Sequence, residues 1–376
     1  MPNPPFYLQL MIGPGVPVPV PRAVLEALTS VSVTSNTQGA SVFQLSFTLS
    51  TKSPLHTLFL LGGGSQLPIM RVVILVIING MPDVLMDGVI THQQVGGGDG
   101  GSQSTLTVTG EDLSKLMSYL PLDGLPYPAM PANVRVMAML AKYMIFGVTP
   151  IVLPAIIPDV PIPTEEIPRQ QGTDLDYIKY LAELSGYEFY VDPGPLPLQS
   201  VAYWGPSIRI GVPQPALNTN MDAETNVESM SFNFDAEDAT LPIVMIFPKE
   251  LKVGIPIPIP NVNPLSPPLG LVPPIPKNIE IDRDSARRNP AQAILAALAR
   301  ASQSADAASA SGTLDVARYG RVLKARKLVG VRGAGPAFDG LYFVKSVTHT
   351  IKRGEYKQNF SLVRNGLVSI TPRVPV

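Results

Sequence analysis

Cysteine is absent from this chain of 376 residues, so disulfide staples, thiolate metal sites and a cysteine nucleophile are excluded together. Histidine is scarce. His56, His92 and His349 sit in distant segments without carboxylates at ligand spacing, which points to strand-borne polar positions and to no metal site. Charged residues make up only 15% of the chain against 45% apolar, yet no apolar run reads as a membrane span. Val72 to Ile78 is far too short and follows Arg71, and the longer stretch Tyr143 to Ile157 is broken by Pro150 and Pro154. No stable membrane insertion is expected. The N-terminus offers no basic region followed by an apolar core and a small-residue cleavage site, so synthesis is expected to finish in the cytoplasm.

What is present suits a chain of two or three domains that can bury a sizeable core. Net charge is −1, but it is unevenly spread: the first 276 residues carry 11 Lys and Arg against 22 Asp and Glu, and the last 100 carry 17 against 7. A basic C-terminal region of this kind is either a solvated face or a surface that meets an acidic partner.

Hydrophobic periodicity divides the chain. Val42 to Leu49 alternates strictly, with Phe43, Leu45, Phe47 and Leu49 on one face, and predicts a half-buried strand. Val72 to Ile78 reads as a buried strand that turns at Asn79-Gly80 into a hairpin partner, Val84 to Gln93. A Gly-rich loop, Gly96 to Gly101, precedes another alternating strand at Thr105 to Thr109 and a short helix at Glu111 to Tyr119. From Pro131 the period becomes helical, with Val134, Met137, Met139, Leu140, Met144 and Ile145 as the apolar surface and Gly147 as the stop. A second helix starts at the Thr173 cap with Asp176 three residues on, buries Leu175, Ile178, Leu181 and Ala182, and ends at Gly186. The strand Tyr187 to Val191 follows. Val227 to Phe234 repeats the alternation of Val42 to Leu49.

The insert Pro248 to Lys277 is rich in proline, so it should run extended without joining a sheet ladder; its isoleucines, leucines and valines suggest that it lies on protein. Pro290 to Ser311 reads as a helix fading into a Ser/Ala linker, and Leu341 to Ile351 with Glu355 to Val363 as a hairpin around Lys352-Arg353-Gly354. The domain reading is therefore a first β domain at 1–125, a middle α+β domain at 126–200, and a second β domain at 201–376 containing the insert 248–277 and the helix and linker 287–313.

Catalytic signatures are missing. The runs Gly62 to Gly64 and Gly96 to Gly101 lack the lysine and Ser/Thr of a phosphate loop, and no nucleophile elbow occurs. Carboxylates do pair, at Glu111-Asp112, Glu165-Glu166, Asp174/Asp176 and Asp282/Asp284, as a glycosidase would require. Helix capping accounts for Asp174 and Asp176, and a single tryptophan leaves little platform for sugar stacking. The remaining candidate site is a basic cluster, Arg318, Arg321, Lys324, Arg326, Lys327 and Arg332. Only Tyr319 is interleaved with it, so contact with an acidic subunit surface suits it better than nucleic acid.

Three segments carry a family resemblance: Thr173-Asp-Leu-Asp-Tyr-Ile-Lys-Tyr-Leu-Ala-Glu-Leu-Ser-Gly-Tyr-Glu-Phe-Tyr-Val191, Tyr203-Trp-Gly-Pro206, and Asp339-Gly-Leu-Tyr-Phe-Val-Lys-Ser-Val-Thr-His349 with Phe360-Ser-Leu-Val-Arg-Asn-Gly366. In order and character they resemble the baseplate hub proteins of contractile tails, namely the phage late-control protein D family and the hub-like N-terminal region of the valine-glycine repeat spike proteins of type VI secretion. The resemblance implies a mainly β chain with an α+β middle, two similar tube-like β-barrel domains flanking a small helix-containing one, assembled as a ring-shaped homotrimer. It implies no cofactor, no catalytic residue and no enzyme. Its implied partners are a trimeric spike protein, here a separate polypeptide because the chain stops at Val376, the first tail-tube ring and other baseplate proteins. Cargo or DNA would pass through the ring, and the chain would belong to a phage tail, virion or injection-particle baseplate. A tail-associated cell-wall hydrolase and a membrane-contacting pore component remain as alternatives.

Overall fold

A computed structural model describes residues 6–49, 69–97, 104–155, 160–164, 167–235, 240–246, 255–259, 266–273, 278–282, 290–304 and 306–371. His56, the glycines 62–64, part of the 96–101 loop, the end of the 143–157 stretch, Glu165, Glu166, Asp284, residues 287–289 and parts of the 248–277 insert lie outside the described residues.

The N-terminal third folds as β1 (Phe6–Pro14), β2 (Val18–Pro19), α1 (Arg22–Ala27), β3 (Leu28–Asn36), β4 (Val42–Leu49), β5 (Met70–Ile78), β6 (Met81–Gly96) and β7 (Ser104–Asp112). The alternation of β4 buries Phe43, Leu45, Phe47 and Leu49 as expected. Between β5 and β6 the chain reverses through Asn79 and Gly80, both at positive φ (49° and 81°), the backbone that a tight hairpin with right-handed strand twist requires. The short helix after β7 is a 3-10 turn at Leu113–Ser118, capped by Asp112, whose side chain accepts from the Ser114 amide at 2.9 Å and from the Ser41 amide at 2.5 Å.

The middle of the chain contains α2 (Ala132–Ala141), β8 (Val148–Val152), α3 (Asp174–Ser185), β9 (Glu188–Pro193) and β10 (Ser200–Gly205), with the strands ordered β8-β10-β9. The α3 capping box forms, with Thr173 accepting from the Asp176 amide and the Asp176 carboxylate accepting from the Thr173 amide. Gly186 closes the helix at φ 66°, and it has a second reason to be glycine: a Cβ there would stand 2.5 Å from the Leu295 carbonyl oxygen. α2 departs from expectation. It buries Val136, Met139 and Leu140 against α3 and Trp204, leaves Val134 and Met137 exposed, and stops at Ala141; a separate 3-10 turn, Met144–Phe146, reaches Gly147. No helix among the described residues is long and apolar enough to cross a membrane.

The C-terminal half supplies β11 (Gln214–Asn218), β12 (Val227–Phe234), β13 (Thr240–Ile246), β14 (Ile255–Pro258), β15 (Gly270–Val272), β16 (Asn278–Asp282), α4 (Pro290–Ser304), β17 (Ala308–Asp315), α5 (Val316–Tyr319), β18 (Leu328–Arg332), β19 (Gly340–Lys352), β20 (Glu355–Arg364) and β21 (Leu367–Ser369). The β19–β20 hairpin forms with Lys352 opposite Glu355. The Ser/Ala linker is corrected: residues 308–315 are β17, paired on both sides by β12 and β20. Small residues are needed here because the Phe360 ring lies over Gly312, 2.7 Å from where a Cβ would stand. The insert is corrected too. In its described parts, β14 pairs with β13 and β15 with β21, and Asn365 accepts from the amides of Leu269 and Gly270 at 2.7 and 3.2 Å, so it packs on its own chain and does join ladders.

Two separate closed barrels were the expectation. The structure instead has one 13-stranded sheet in the order β2-β1-β5-β6-β7-β4-β3-β19-β20-β17-β12, with β18 and β11 attached to β19, and the described strands close into no barrel. The cause is the antiparallel pairing of β3 with β19, from Asn36 opposite Ser346 to Ser30 opposite Lys352. Both strands bury one face in the same core, where Leu45, Phe47 and Val76 join Val347, Phe360 and Leu362. The two alternating strands also take unlike places, β4 inside the sheet and β12 at its end.

Burial pushes the Asp112 carboxyl up from 3.8 to about 6, against the hydrogen bonds from Ser114 and Ser41. A carboxyl that binds its proton more tightly when folded contributes stability that is full below its unfolded value and lost as pH rises through 6. The urea stability of the native chain minus that of Asp112→Asn should therefore fall by about 2 kcal/mol between pH 4 and 7; a difference independent of pH would show that burial does not raise the Asp112 carboxyl.

Candidate interface around the basic segment

The basic segment begins at α5, whose Asp315 cap accepts from the Ala317 amide at 2.8 Å and whose end is Gly320 at φ 77°. Two glutamines then clasp the backbone that follows. Gln358, fully buried on β20, accepts from the Leu323 amide at 3.0 Å and donates to its carbonyl at 2.8 Å; Gln214 does the same for Lys324 at 2.8 and 2.9 Å. Such reciprocal amide pairs satisfy loop backbone that has no ladder partner.

Arg326 is the pivot. Its backbone takes φ 60°, its guanidinium stands 4.0 Å from the centre of the Tyr190 ring, and Nη1 donates to Asp192 at 2.6 Å. Nη2 donates to the Asn36 carbonyl. Tyr190 in turn stacks on Tyr203, centroids 5.0 Å apart, and the Tyr203 hydroxyl donates to the Pro206 carbonyl. One side chain thus ties the middle β9–β10 unit to the sheet at the end of β3. Burial lifts the Asp192 carboxyl above its ordinary range, and Arg326 opposes that shift.

The six basic residues do not form a single patch. Lys324, Arg326 and Lys327 share the wall of a cleft of about 470 Å³ with Asp83, Asp192 and His349, and Lys324 is paired with Asp83 at 2.5 Å. Arg318, Arg321 and Lys327 are exposed and make no ion pair among the described residues. Arg332 lies half-buried at the far end of β18, opposite Asn218. The Arg326–Tyr190–Tyr203 stack escaped the sequence reading because the partners lie more than a hundred residues apart, though each sits within or beside a quoted motif.

The paired carboxylates are structural wherever described: Asp112 caps, Asp176 caps, and Asp174 accepts from Lys142, Tyr143 and Gln170 at 2.6, 2.7 and 2.8 Å. His92 is exposed on β6 and His349 buried on β19, and no group of residues able to hold a metal ion occurs among the described residues. Tyr356 lies 2.8 Å and Gln358 3.2 Å from His349 Nδ1, and burial pushes its pKa down from 6.5 to about 3.

No family model matches the chain, and no curated protein matches its sequence. Solved structures do match, and they define the class: the fold is that of phage tail proteins and of type VI secretion proteins. A tail protein from Neisseria meningitidis MC58 aligns over 96% of this chain and 98% of its own at 15% identity, with a TM-score of 0.61. The 43 kDa tail protein of prophage MuSo2 from Shewanella oneidensis aligns over 95% and 98%, also at 15% identity, with a TM-score of 0.59. A chain of the Francisella PdpA–VgrG complex aligns over 99% of this chain and 60% of its own at 7% identity, with a TM-score of 0.58.

Replacing Arg326 by methionine should cost about 2 to 3 kcal/mol in urea unfolding, since Asp192 is left without its cation, whereas Lys327→Met should stay within about 0.5 kcal/mol. Equal costs would show that Arg326 is not the clamp. A histidine pKa lowered by folding contributes stability that is present above the unfolded value and lost as pH falls from 6.5 toward 3. His349→Gln should accordingly lose less stability between pH 6.5 and 4 than the native chain, and an identical acid profile would place the lability elsewhere.

Proposed function

We propose that this chain is the structural baseplate hub of a contractile injection system or phage tail, a ring-shaped homotrimer that matches a sixfold tail tube to a threefold spike and nucleates tube assembly. The observation that supports this best is the end-to-end alignment with tail proteins, over almost the whole of both chains. The division into domains at 1–125, 126–200 and 201–376 belongs to the same reading, with the outer two fused through β3 and β19. The hub performs no bond chemistry. Its partners are the trimeric spike, the first tube ring and other baseplate proteins, with cargo or DNA passing through the ring. It resides in the tail, virion or particle baseplate after synthesis in the cytoplasm. Exposed Arg318, Arg321 and Lys327 supply cations for an acidic neighbour, whereas Lys324 is paired with Asp83, Arg332 lies apart at the far end of β18, and Arg326 is spent inside the chain.

Light scattering on the purified chain, alone and with candidate spike and tube proteins, tests the reading. A trimer, or a monomer that becomes trimeric on the spike, supports it; a monomer indifferent to both partners would overturn it. The triple reversal Arg318→Glu, Arg321→Glu, Lys327→Glu should weaken assembly at least tenfold at low salt and less at high salt. Unchanged assembly would remove the basic face from the proposal.

A further inference from the structure

Two asparagines of this chain stand directly before a glycine, Asn79 and Asn365, and the fold treats them differently. An asparagine in that position is chemically labile, because the next residue has no Cβ to keep its peptide nitrogen away from the carboxamide carbon. Asn365 is locked. Its Oδ1 accepts from the Leu269 and Gly270 amides at 2.7 and 3.2 Å. Gly366 is buried, with the Val272 carbonyl oxygen 2.4 Å from where its Cβ would stand, and its carbonyl accepts from Arg364 Nε at 2.7 Å. The Asn365 carboxamide can turn onto the next nitrogen only if β15 and β21 come apart.

Asn79 is open. With Gly80 it makes the loop between the paired residues Ile78 and Met81; both loop residues are exposed, and a Cβ on Gly80 would meet nothing within 4 Å. Among the described residues a single hydrogen bond holds the side chain, Nδ2 donating to the Gly320 carbonyl at 3.2 Å. Bringing the carboxamide carbon onto the Gly80 nitrogen takes local opening of the turn, and an exposed hairpin tip opens at far lower cost than a buried strand junction.

We propose that Asn79 is a site of spontaneous modification, converted to aspartate and isoaspartate in the folded chain while Asn365 is spared. The step needs only water. The Gly80 peptide nitrogen loses its proton and bonds to Asn79 Cγ, and the side-chain nitrogen takes up a proton and leaves as ammonia. Water then adds to one of the two carbonyls of the cyclic imide; opening gives aspartate, or isoaspartate where the chain now runs through Cγ. Nothing is oxidised or reduced. The product cannot make the contact that Asn79 made: a carboxylate has no N–H for the Gly320 carbonyl, so the hairpin tip loses its tie to the end of α5, where the basic segment begins, and gains a negative charge there. Isoaspartate also lengthens the backbone of a loop whose length sets the register of β5 on β6.

The test uses the full-length chain, incubated at mildly alkaline pH both folded and in urea, with both asparagines followed by peptide mapping. In urea they should convert at similar rates, since each precedes a glycine. In the folded chain Asn79 should convert at least about tenfold faster than Asn365, with isoaspartate among the products at position 79. Equal rates at the two sites in the folded chain, or an Asn79 as fully protected by folding as Asn365, would overturn the proposal. Asn79→Asp, which copies one product, should speed amide hydrogen exchange at Gly320 by about threefold or more; unchanged exchange there would overturn the tie between the hairpin tip and α5.

Discussion

The architecture depends on a single strand, β19, which pairs with three neighbours. Its first residues, Gly340 to Phe343, bind β18; its later ones, Ser346 to Lys352, bind β3; and β20 runs along its other edge. Thirteen residues therefore hold together segments more than three hundred positions apart. The bargain is kept by burial on the inward face, where Val344, Val347, His349 and Ile351 are all covered. A charged residue in that row would unsettle both halves of the sheet at once, because both bury their inward faces in the same cluster.

The charges tell a complementary story. A chain with few ionisable groups commits several of them to joints between its parts. Arg71 and Asp87 form a two-pronged buried pair at 2.7 and 2.6 Å that also receives Ser200 from the middle unit. Arg326 and Asp192 join the middle unit to the end of β3. Arg364, fully buried, donates to the carbonyls of Gly366, Asp339 and Ala337 and lies 4.5 Å from the centre of the Tyr342 ring, which fixes the loops that lead into β19 and β21. Each guanidinium brings planar, directional donors to a place where the chain changes course, so these ions specify geometry more than they add stability.

Much of this was readable in the residues, and the failures share a cause. Strands with large alternating side chains, such as Val42–Leu49 and Glu355–Arg364, were legible because the period reports burial directly. The Thr173 box and Gly186 were legible because capping is local chemistry. β17 was missed because its inward residues before Leu314 are Ala308, Ala310 and Gly312, small enough to admit Phe360 but too small to announce a strand; the alternating Ser309, Ser311 and Thr313 were the available signal. The fused sheet was invisible because a strand's sequence shows which face it buries and says nothing of which neighbour lies along its edge. The basic cluster failed as a unit for a related reason: linear proximity placed Arg326 beside Lys327, but one side chain turned into the protein and the other to solvent.

Proline is distributed unevenly among the exposed stretches of extended backbone. β14 forms the border of its small sheet as Ile255-Pro256-Ile257-Pro258, and proline, lacking an N–H, blunts a border against further pairing. Residues 207–212, which run from β10 to β11 outside every ladder of the described residues, are treated in the opposite way: prolines stand at both ends, none within, and Arg209 is tucked inward on Asp306 instead of guarding the edge.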